Sequence, residues 1–472
     1  MNDRHRLLVL GLTLGLLSCT TPSARADNSP TPETITIRDE TMQVWPFDDL
    51  RARGFDIPDI PREENAFWTY LEAINGYVSL PPELRSVFDY ATNTWPTGQD
   101  EALSAYVLDP RNQNALELVR TAAAMDQCQL YYFGNSQSSA IGMMLPSLRD
   151  FRNLAMLLVV DGQRLAAQGE YEAAFDDYAA ALRMAHHVGG GITLIENLVG
   201  VAVFALGNQA TLQMMLHEEP SSAELRDILG QLRELSALQP SMARGLQTER
   251  LFLMNAVDEI VTSPRYGIGA LGIGPGGAGV RAARELQGWN ALLYRAKQIV
   301  LPDRTVKRHI GAYFEEIIRR TNLPAYEARW AEFDDANHAA DIPQWDIIAH
   351  ALIPSLSRTA TQSEICRMQS RMTRIVVALR LCTLNNDGRP PERLADLQQW
   401  LPPDDLMDPF SGEEFVYERT PDGWRIYSVS KNLVDDGGSV SENDRFLPDY
   451  VIEYPPDEIE PYSPPDTQES AD

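Results

Sequence analysis

The sequence has few cysteines and few basic side chains for its length. Its 472 residues include 4 cysteines and 7 histidines, and 67 acidic side chains outnumber 40 basic ones, which gives a net charge of -27. A chain this acidic repels polyanions, and we therefore expect no nucleic-acid partner. We expect contact with a membrane only through an N-terminal lipid anchor. Four cysteines in a chain this long also exclude a disulfide scaffold.

The cysteines leave only one kind of pairing open. Cys366 and Cys382 lie on one predicted helix. They are separated by about 24 Å at about 1.5 Å per residue, whereas a disulfide needs a Cα separation below about 7 Å. Only a pairing with Cys128 remains.

Common catalytic and cofactor motifs are also missing. The sequence contains no His-Glu-x-x-His, Gly-x-Ser-x-Gly or Cys-x-x-Cys pattern. The glycines from Gly267 to Gly272 match a dinucleotide fingerprint in spacing, but they follow Ser263-Pro264, which ends a helix, so we interpret 266–279 as a Gly-rich connection. Adjacent carboxylates such as Glu315-Glu316 are typical of solvated helix faces, and they keep a hydrolase with carboxylates in a helical cleft as an alternative.

Helical periodicity dominates the long middle of the chain. Apolar residues recur at helical spacing around Phe151 and Phe175, which predicts an irregular α-helical domain over 62–360. Within it, residues 162–182 resemble the helix-turn-helix junction of a tetratricopeptide repeat, with Gly169 at the turn and Tyr171 and Tyr178 between the helices. No second unit follows at a 34-residue offset. Since solenoids need about three repeats, we expect a repeat-like hairpin rather than a solenoid.

A small α+β module is predicted over 361–447. Apolar residues from Ile365 to Cys382 form one stripe of a helix that should stop at Asn385-Asn-Asp-Gly388. Two short apolar runs then flank the turn sequence Thr420-Pro-Asp-Gly423, as in an antiparallel hairpin. The fold class expected is therefore mainly α: an irregular helical domain followed by one long helix packed on an antiparallel hairpin or sheet.

The last fifth of the chain is similar to the globular part of G-type pseudopilins of type II secretion. The resemblance rests on the order of its motifs, which are the Asn386-Asp-Gly388 turn, Pro390-Pro391, Leu394-x-x-Leu397, Asp408-Pro409, Gly412, Tyr417 and Tyr427-Ser-Val429. The family's membrane-spanning half-helix is absent here, because Arg367, Arg371 and Arg374 interrupt the apolar stretch. We therefore expect that this chain does not assemble a pilus in the usual way.

The resemblance implies a calcium site in the loop after Tyr427-Ser. The matching positions are Asn432 and Asp444, with Asp435 and Asp436 as additional ligands. Asn432 replaces the family's Asp, and the loop is about one residue longer. Calcium prefers hard oxygen ligands on a flexible loop, which the Asp residues around Gly437-Gly438 supply. Asp and Gly are also the residues that ordinary turns select, so a solvated acidic turn remains the alternative.

The two ends of the chain complete the expected organisation. Arg4-His-Arg6 precedes an apolar run from Leu7 to Leu17, which predicts a signal peptide over 1–26. Cleavage before Cys19 would leave a lipidated cysteine, whereas cleavage after Ala26 would release a secreted protein. Polar, proline-punctuated sequence predicts a linker over 27–61 with one short strand at Thr34 to Arg38, and residues 448–472 are predicted to form an acidic, proline-rich tail.

These features predict an exported protein of the periplasm, cell envelope or extracellular space. The expected function is non-catalytic: binding or scaffolding of a protein partner through a helical surface, with a calcium-stabilised C-terminal module. The alternatives are the hydrolase described above and an accessory protein of a secretion apparatus, the latter on fold analogy alone.

Overall fold

A computed structural model describes residues 34–95, 101–134, 143–262, 303–330, 342, 346, 349, 356–438 and 449–456. The predicted signal peptide with Cys19, the Gly-rich connection 266–279 and Asp444 lie outside these residues, as does most of the predicted tail. Helices predominate, and a small antiparallel sheet lies near the C-terminus, so the expected fold class is confirmed.

The helical part begins with short helices and continues with long ones. Within the described residues its helices are α1 (Phe47–Ala52), α2 (Phe67–Gly76), α3 (Arg85–Asn93), α4 (Glu101–Val107), α5 (Pro110–Ala123), α6 (Leu148–Ala166), α7 (Tyr171–Gly189), α8 (Leu194–His217), α9 (Ser222–Leu235), α10 (Met242–Thr262), α11 (Asp303–Thr321) and α12 (Ala325–Ala328). Helices α6, α7 and α8 pack closely on one another and lie at the centre of the main hydrophobic core. Helices α10 and α11 enclose a second, smaller cluster.

The repeat-like hairpin predicted at 162–182 is formed by α6 and α7. Gly169 has a φ of +80°, the left-handed conformation that a tight turn after α6 requires. A Cβ at Gly162 would lie 2.4 Å from the Tyr178 ring, so glycine lets the two helices approach. Tyr178 is fully buried between them.

The short strand expected at Thr34 to Arg38 is present, but the rest of residues 34–61 is more ordered than the linker expected. Strands β1 (Thr34–Ile37) and β2 (Glu40–Gln43) form an antiparallel hairpin, and α1 follows. Trp45 is fully buried in the main core, and its backbone N–H donates to the Tyr132 carbonyl at 2.7 Å. Prolines and acidic residues set the average polarity of this segment, but a few large apolar side chains determine its packing.

The C-terminal module consists of α13 (Ser357–Asn385) and a three-stranded sheet. The strands β3 (Val416–Arg419), β4 (Trp424–Ser428) and β5 (Tyr450–Tyr454) are antiparallel in the order β3-β4-β5. The predicted hairpin is confirmed, with Arg419 opposite Trp424 across the turn. Helix α13 also ends where the sequence predicts, with Asp387 and Gly388 at positive φ. Strand β5, by contrast, lies within the predicted tail.

Two of the arginines that interrupt the apolar stretch of α13 attach the helix to the following turn. Arg374 is buried and donates to both carboxylate oxygens of Asp405, at 2.6 and 3.0 Å. Arg371 donates to the Met407 carbonyl at 2.7 Å. These two positive charges are therefore bonded inside the module, whereas Arg367 pairs with Glu364 of its own helix at 3.0 Å.

Helix α13 also belongs to the core of the helical part. It packs against α8 and α9, and its apolar side chains join the same buried cluster as theirs. Arg380 donates to the backbone carbonyls of Met215 and Glu218, at the end of α8. The boundary predicted near residue 360 thus lies at the start of a helix that both parts share.

Two further observations concern the apolar helix α8 and the state of the cysteines. Helix α8 has the length and composition of a membrane span, but 61% of its most apolar stretch is buried in the fold, and core helices pass the same test. Within the described residues the cysteines, Cys128, Cys366 and Cys382, are free.

Candidate calcium site

The candidate site is the loop that leaves strand β4. A short 3-10 turn, Ser430–Asn432, ends with Leu433 in the left-handed region at φ 60°. Gly437 and Gly438 also have positive φ, so the chain turns back sharply beside the sheet. The loop thereby brings its acidic side chains close to the first residues of β5.

Three of the four predicted ligands are in the described part of the loop. The Asn432 amide donates to Asp436 at 2.8 Å, and its Oδ1 accepts the Val434 N–H. Asp435 Oδ1 accepts the Tyr427 hydroxyl at 3.2 Å and the Gly437 N–H at 2.9 Å. The structure thus brings Asn432 and Asp436 together and turns Asp435 toward the sheet; Asp444 is outside the described residues.

Sequence reasoning missed one residue of this loop, Asp449. Its side chain is buried, with 5% of the residue exposed, and Oδ2 accepts the N–H groups of Asp436 and Gly438 at 3.0 and 2.8 Å. Oδ1 is buried and has no hydrogen-bond partner. Burial, with the nearby charges of Asp436 and Asp435, raises the pKa of Asp449. The alternation of Tyr450, Ile452 and Tyr454 just after it was the available signal for a strand and its preceding loop.

The donor set suits a hard cation, but the side chains do not converge on one. A buried carboxylate oxygen without a partner beside two further carboxylates is an arrangement that a cation would stabilise. Within the described residues, however, no three His, Cys, Asp or Glu side chains are grouped so as to hold a metal ion. Calcium binding would require Asp435 and Asp436 to turn from their present hydrogen-bond partners toward Asp449.

Asp408 connects the Asp408-Pro409 turn to the Tyr427-Ser-Val429 end of β4 and fixes the start of the loop. Its Oδ1 accepts the Phe410 N–H and the Ser428 hydroxyl, both at 2.9 Å, and its Oδ2 accepts the Val429 N–H at 3.1 Å. Burial raises the pKa of this carboxyl, while these donors oppose the rise. The Asp-Pro turn and the end of β4 are therefore held by one side chain.

A second group of ionisable side chains lies in the interior of the helical part. Asp161 and Asp177 are buried between helices, and Arg120 bonds both of them at 2.9 and 2.6 Å while Arg164 bonds Asp161. Burial raises the pKa of Asp177 to about 7, against the opposing effect of Arg120. The two arginines balance the two carboxylates, as in a structural ion-pair cluster.

The adjacent histidines His186 and His187 of α7 and the adjacent carboxylates Glu315 and Glu316 of α11 also have separate partners. His186 bonds the Leu238 carbonyl and His187 bonds the Tyr70 hydroxyl, each at 3.0 Å, so the two rings point apart. Glu315 pairs with Arg250, whereas its neighbour Glu316 pairs with two arginines of its own helix.

Comparisons with protein-family models, with curated proteins and with solved structures find no significant match to this chain. The resemblances to pseudopilins and to a tetratricopeptide hairpin therefore stay predictions.

Proposed function

We propose that this chain is an exported, non-catalytic binding or scaffold protein of the cell envelope or extracellular space. It contacts a protein partner through its helical surface, and an N-terminal lipid on Cys19 would tether it. The observation that carries this proposal is an apolar stripe on the outer side of α8.

The stripe consists of Ile195, Val199, Ala202 and Leu206, which recur at steps of four, three and four residues. Ile195 is 59% exposed, Ala202 is exposed, and Val199 and Leu206 are half-buried. These positions share one side of a helix over three turns, a length of about 16 Å. Exposed apolar residues in a continuous row are typical of protein contact sites, whereas isolated ones are not.

Site-specific crosslinking tests this surface. A photoreactive amino acid at Val199 should capture one partner from envelope extracts, and Ile195→Glu with Ala202→Glu should abolish the capture because two charges then occupy the contact. Leu108→Glu is the matched control, since Leu108 is similarly exposed, at 51%, outside the stripe. The proposal fails if the double variant captures the same partner as the unmodified chain, or if no partner is captured at all.

We also propose that calcium stabilises the C-terminal module. The unpartnered Oδ1 of Asp449 supports this role, because burial and the nearby Asp436 and Asp435 carboxylates destabilise the negative charge of Asp449. A cation bound among these oxygens would remove that repulsion and hold the loop against β5.

Of the two alternatives, a secretion-apparatus accessory has the clearer support. The helix and three-stranded antiparallel sheet are the arrangement that the pseudopilin resemblance implies. The hydrolase finds less support in Asp161 and Asp177, since arginines already bond both carboxylates.

A further inference from the structure

A polar groove lies at the C-terminal end of α13. It comprises two adjoining cavities of about 460 and 500 Å³, which share Cys382, Asn386 and Gln399. Arg389 and Arg419 line the first cavity, and Arg226 of α9 lines the second. We call this surface the arginine groove.

The three arginines of the groove make no ion pair in the described part of the chain, and all three side chains are exposed. The carboxylates that line the groove are Glu392 and Asp396. Asp396 already pairs with Arg393 at 3.4 Å. What distinguishes these arginines is that three of them line one groove, and guanidinium groups are suited to binding carboxylates.

The C-terminal segment of the chain starts close to this groove. Arg419 is paired with Trp424 in the sheet, and Trp424 is paired with Tyr454 on its other side. Two strand spacings put Tyr454 about 10 Å from Arg419. The Arg380 guanidinium of α13 also lies 4.6 Å from the centre of the Tyr454 ring, so the end of β5 contacts the helix whose C-terminal end borders the groove.

The segment 457–472 has the complementary charge. It contains no lysine or arginine, and its carboxylates are Asp457, Glu458, Glu460, Asp466, Glu469 and Asp472. Fully extended, its sixteen residues could reach up to about 50 Å. Pro461, Pro464 and Pro465 favour an extended backbone, which leaves the carboxylates of the segment accessible to the arginines of the groove. Trp400, half-buried in the wall of the second cavity, offers an apolar surface for prolines.

We propose that the arginine groove binds an acidic, extended peptide, and that residues 457–472 of this chain are its occupant. Binding within one chain benefits from a high effective concentration, so the segment would occupy the groove even with a modest intrinsic affinity. An acidic segment of another protein would then have to displace it.

The test compares two full-length chains as receptors for a fluorescent peptide of residues 457–472. In one chain the six carboxylates of the segment are replaced by the corresponding amides, which empties the groove; the other is unmodified. Fluorescence anisotropy should give at least tenfold tighter binding to the neutralised chain, and this binding should weaken as salt rises. Equal affinity for both chains, or no binding to either, overturns the proposal.

Two controls locate the site. Arg226→Ala, Arg389→Ala and Arg419→Ala together, in the neutralised chain, should weaken peptide binding at least tenfold. Arg152→Ala, which changes an exposed arginine of α6, should leave it unchanged. A peptide with amides at its six acidic positions should not bind; because this control alters only the peptide, it does not depend on the folding of a variant. Retained binding by the triple variant or by the amide peptide would equally overturn the proposal.

Discussion

Asp408 is a buried carboxylate whose three donors belong to two separate segments, the Asp-Pro turn and the end of β4. Asp408→Ala would leave the N–H groups of Phe410 and Val429 and the Ser428 hydroxyl without their acceptor. We expect the free energy of unfolding to fall by roughly 3 kcal/mol, as for several buried groups left unsatisfied. Urea denaturation of the full chain measures it.

The control for this change is Asp422→Ala, since Asp422 is exposed in the turn between β3 and β4. It should alter the unfolding free energy by less than about 0.5 kcal/mol. Similar losses in both variants would contradict the role assigned to Asp408.

Glu196 gives a pH dependence whose sign can be worked out. The residue is fully buried, its Oε2 accepts the Thr193 N–H and hydroxyl at 2.8 Å, and its Oε1 has no partner. Burial raises the pKa of Glu196 to about 7, whereas in the unfolded chain a glutamate titrates near about 4.3. Between these values the folded state holds the extra proton, so the unfolding free energy should decrease as pH rises from about 4 to 7.

Glu196→Gln removes this titration. In this variant the unfolding free energy should fall less steeply with pH. The slope should differ by up to about 1.4 kcal/mol per pH unit, which is the limit for one proton. Asp177, with its pKa raised to about 7 chiefly by burial, keeps part of the slope in the variant. Thermal and urea unfolding between pH 4.5 and 8 would measure both profiles, and profiles of equal slope would show that Glu196 titrates normally.

Helix α13 is the element on which the organisation of the C-terminal part depends. One side contacts α8 and α9, and another contacts the turns and sheet of the module. A fragment starting at Thr361 would expose the first side to water, with the Arg380 guanidinium no longer bonded to α8. We therefore expect poorly dispersed amide resonances from the isolated fragment, in contrast to the full chain. A well-dispersed spectrum would show that the module folds alone.

Local sequence signals predicted individual helices and turns better than they predicted which elements pack together. The sequence Thr420-Pro-Asp-Gly423 contains its own turn chemistry, and the end of α13 is encoded in four adjacent residues. Strand β5 was harder to predict, because the alternation of Tyr450, Ile452 and Tyr454 is a short signal in an acidic, proline-rich context. Asp449 was missed with it, since its role depends on the return of β5 to the side of β4.

The sequence also did not indicate which distant segments pack against each other. The apolar stripe of α13 marks one face of the helix, but it does not identify α8 and α9 as neighbours. Arg380 looked like an ordinary basic residue, although it bonds carbonyl groups more than 160 positions earlier. Backbone carbonyls are the same at every residue, so no side-chain pattern indicates such a partner.

At the scale of the whole molecule, calcium should stabilise the folded chain. Ligand binding adds RT ln(1 + [L]/Kd), about 2.7 kcal/mol at a hundredfold excess over Kd. We expect millimolar calcium to raise the melting temperature and magnesium to raise it much less, because magnesium requires stricter octahedral geometry. Differential scanning calorimetry measures the shift.

Asp449→Asn and Asp436→Ala should each remove most of this calcium effect, while Asp422→Ala should retain it as an exposed acidic residue outside the loop. If calcium shifts the three variants and the unmodified chain equally, the loop is a solvated acidic turn.

The shared helix α13 also sets the order of events when the chain is made. Synthesis proceeds from the N-terminus, so α8 and α9 emerge long before the helix that covers them. The surface that α13 later covers stays open during that interval, and a chain that stops before residue 357 keeps it open permanently. Completion of the core is thereby linked to completion of the polypeptide, and prematurely ended chains present the exposed apolar surface that proteases and chaperones recognise.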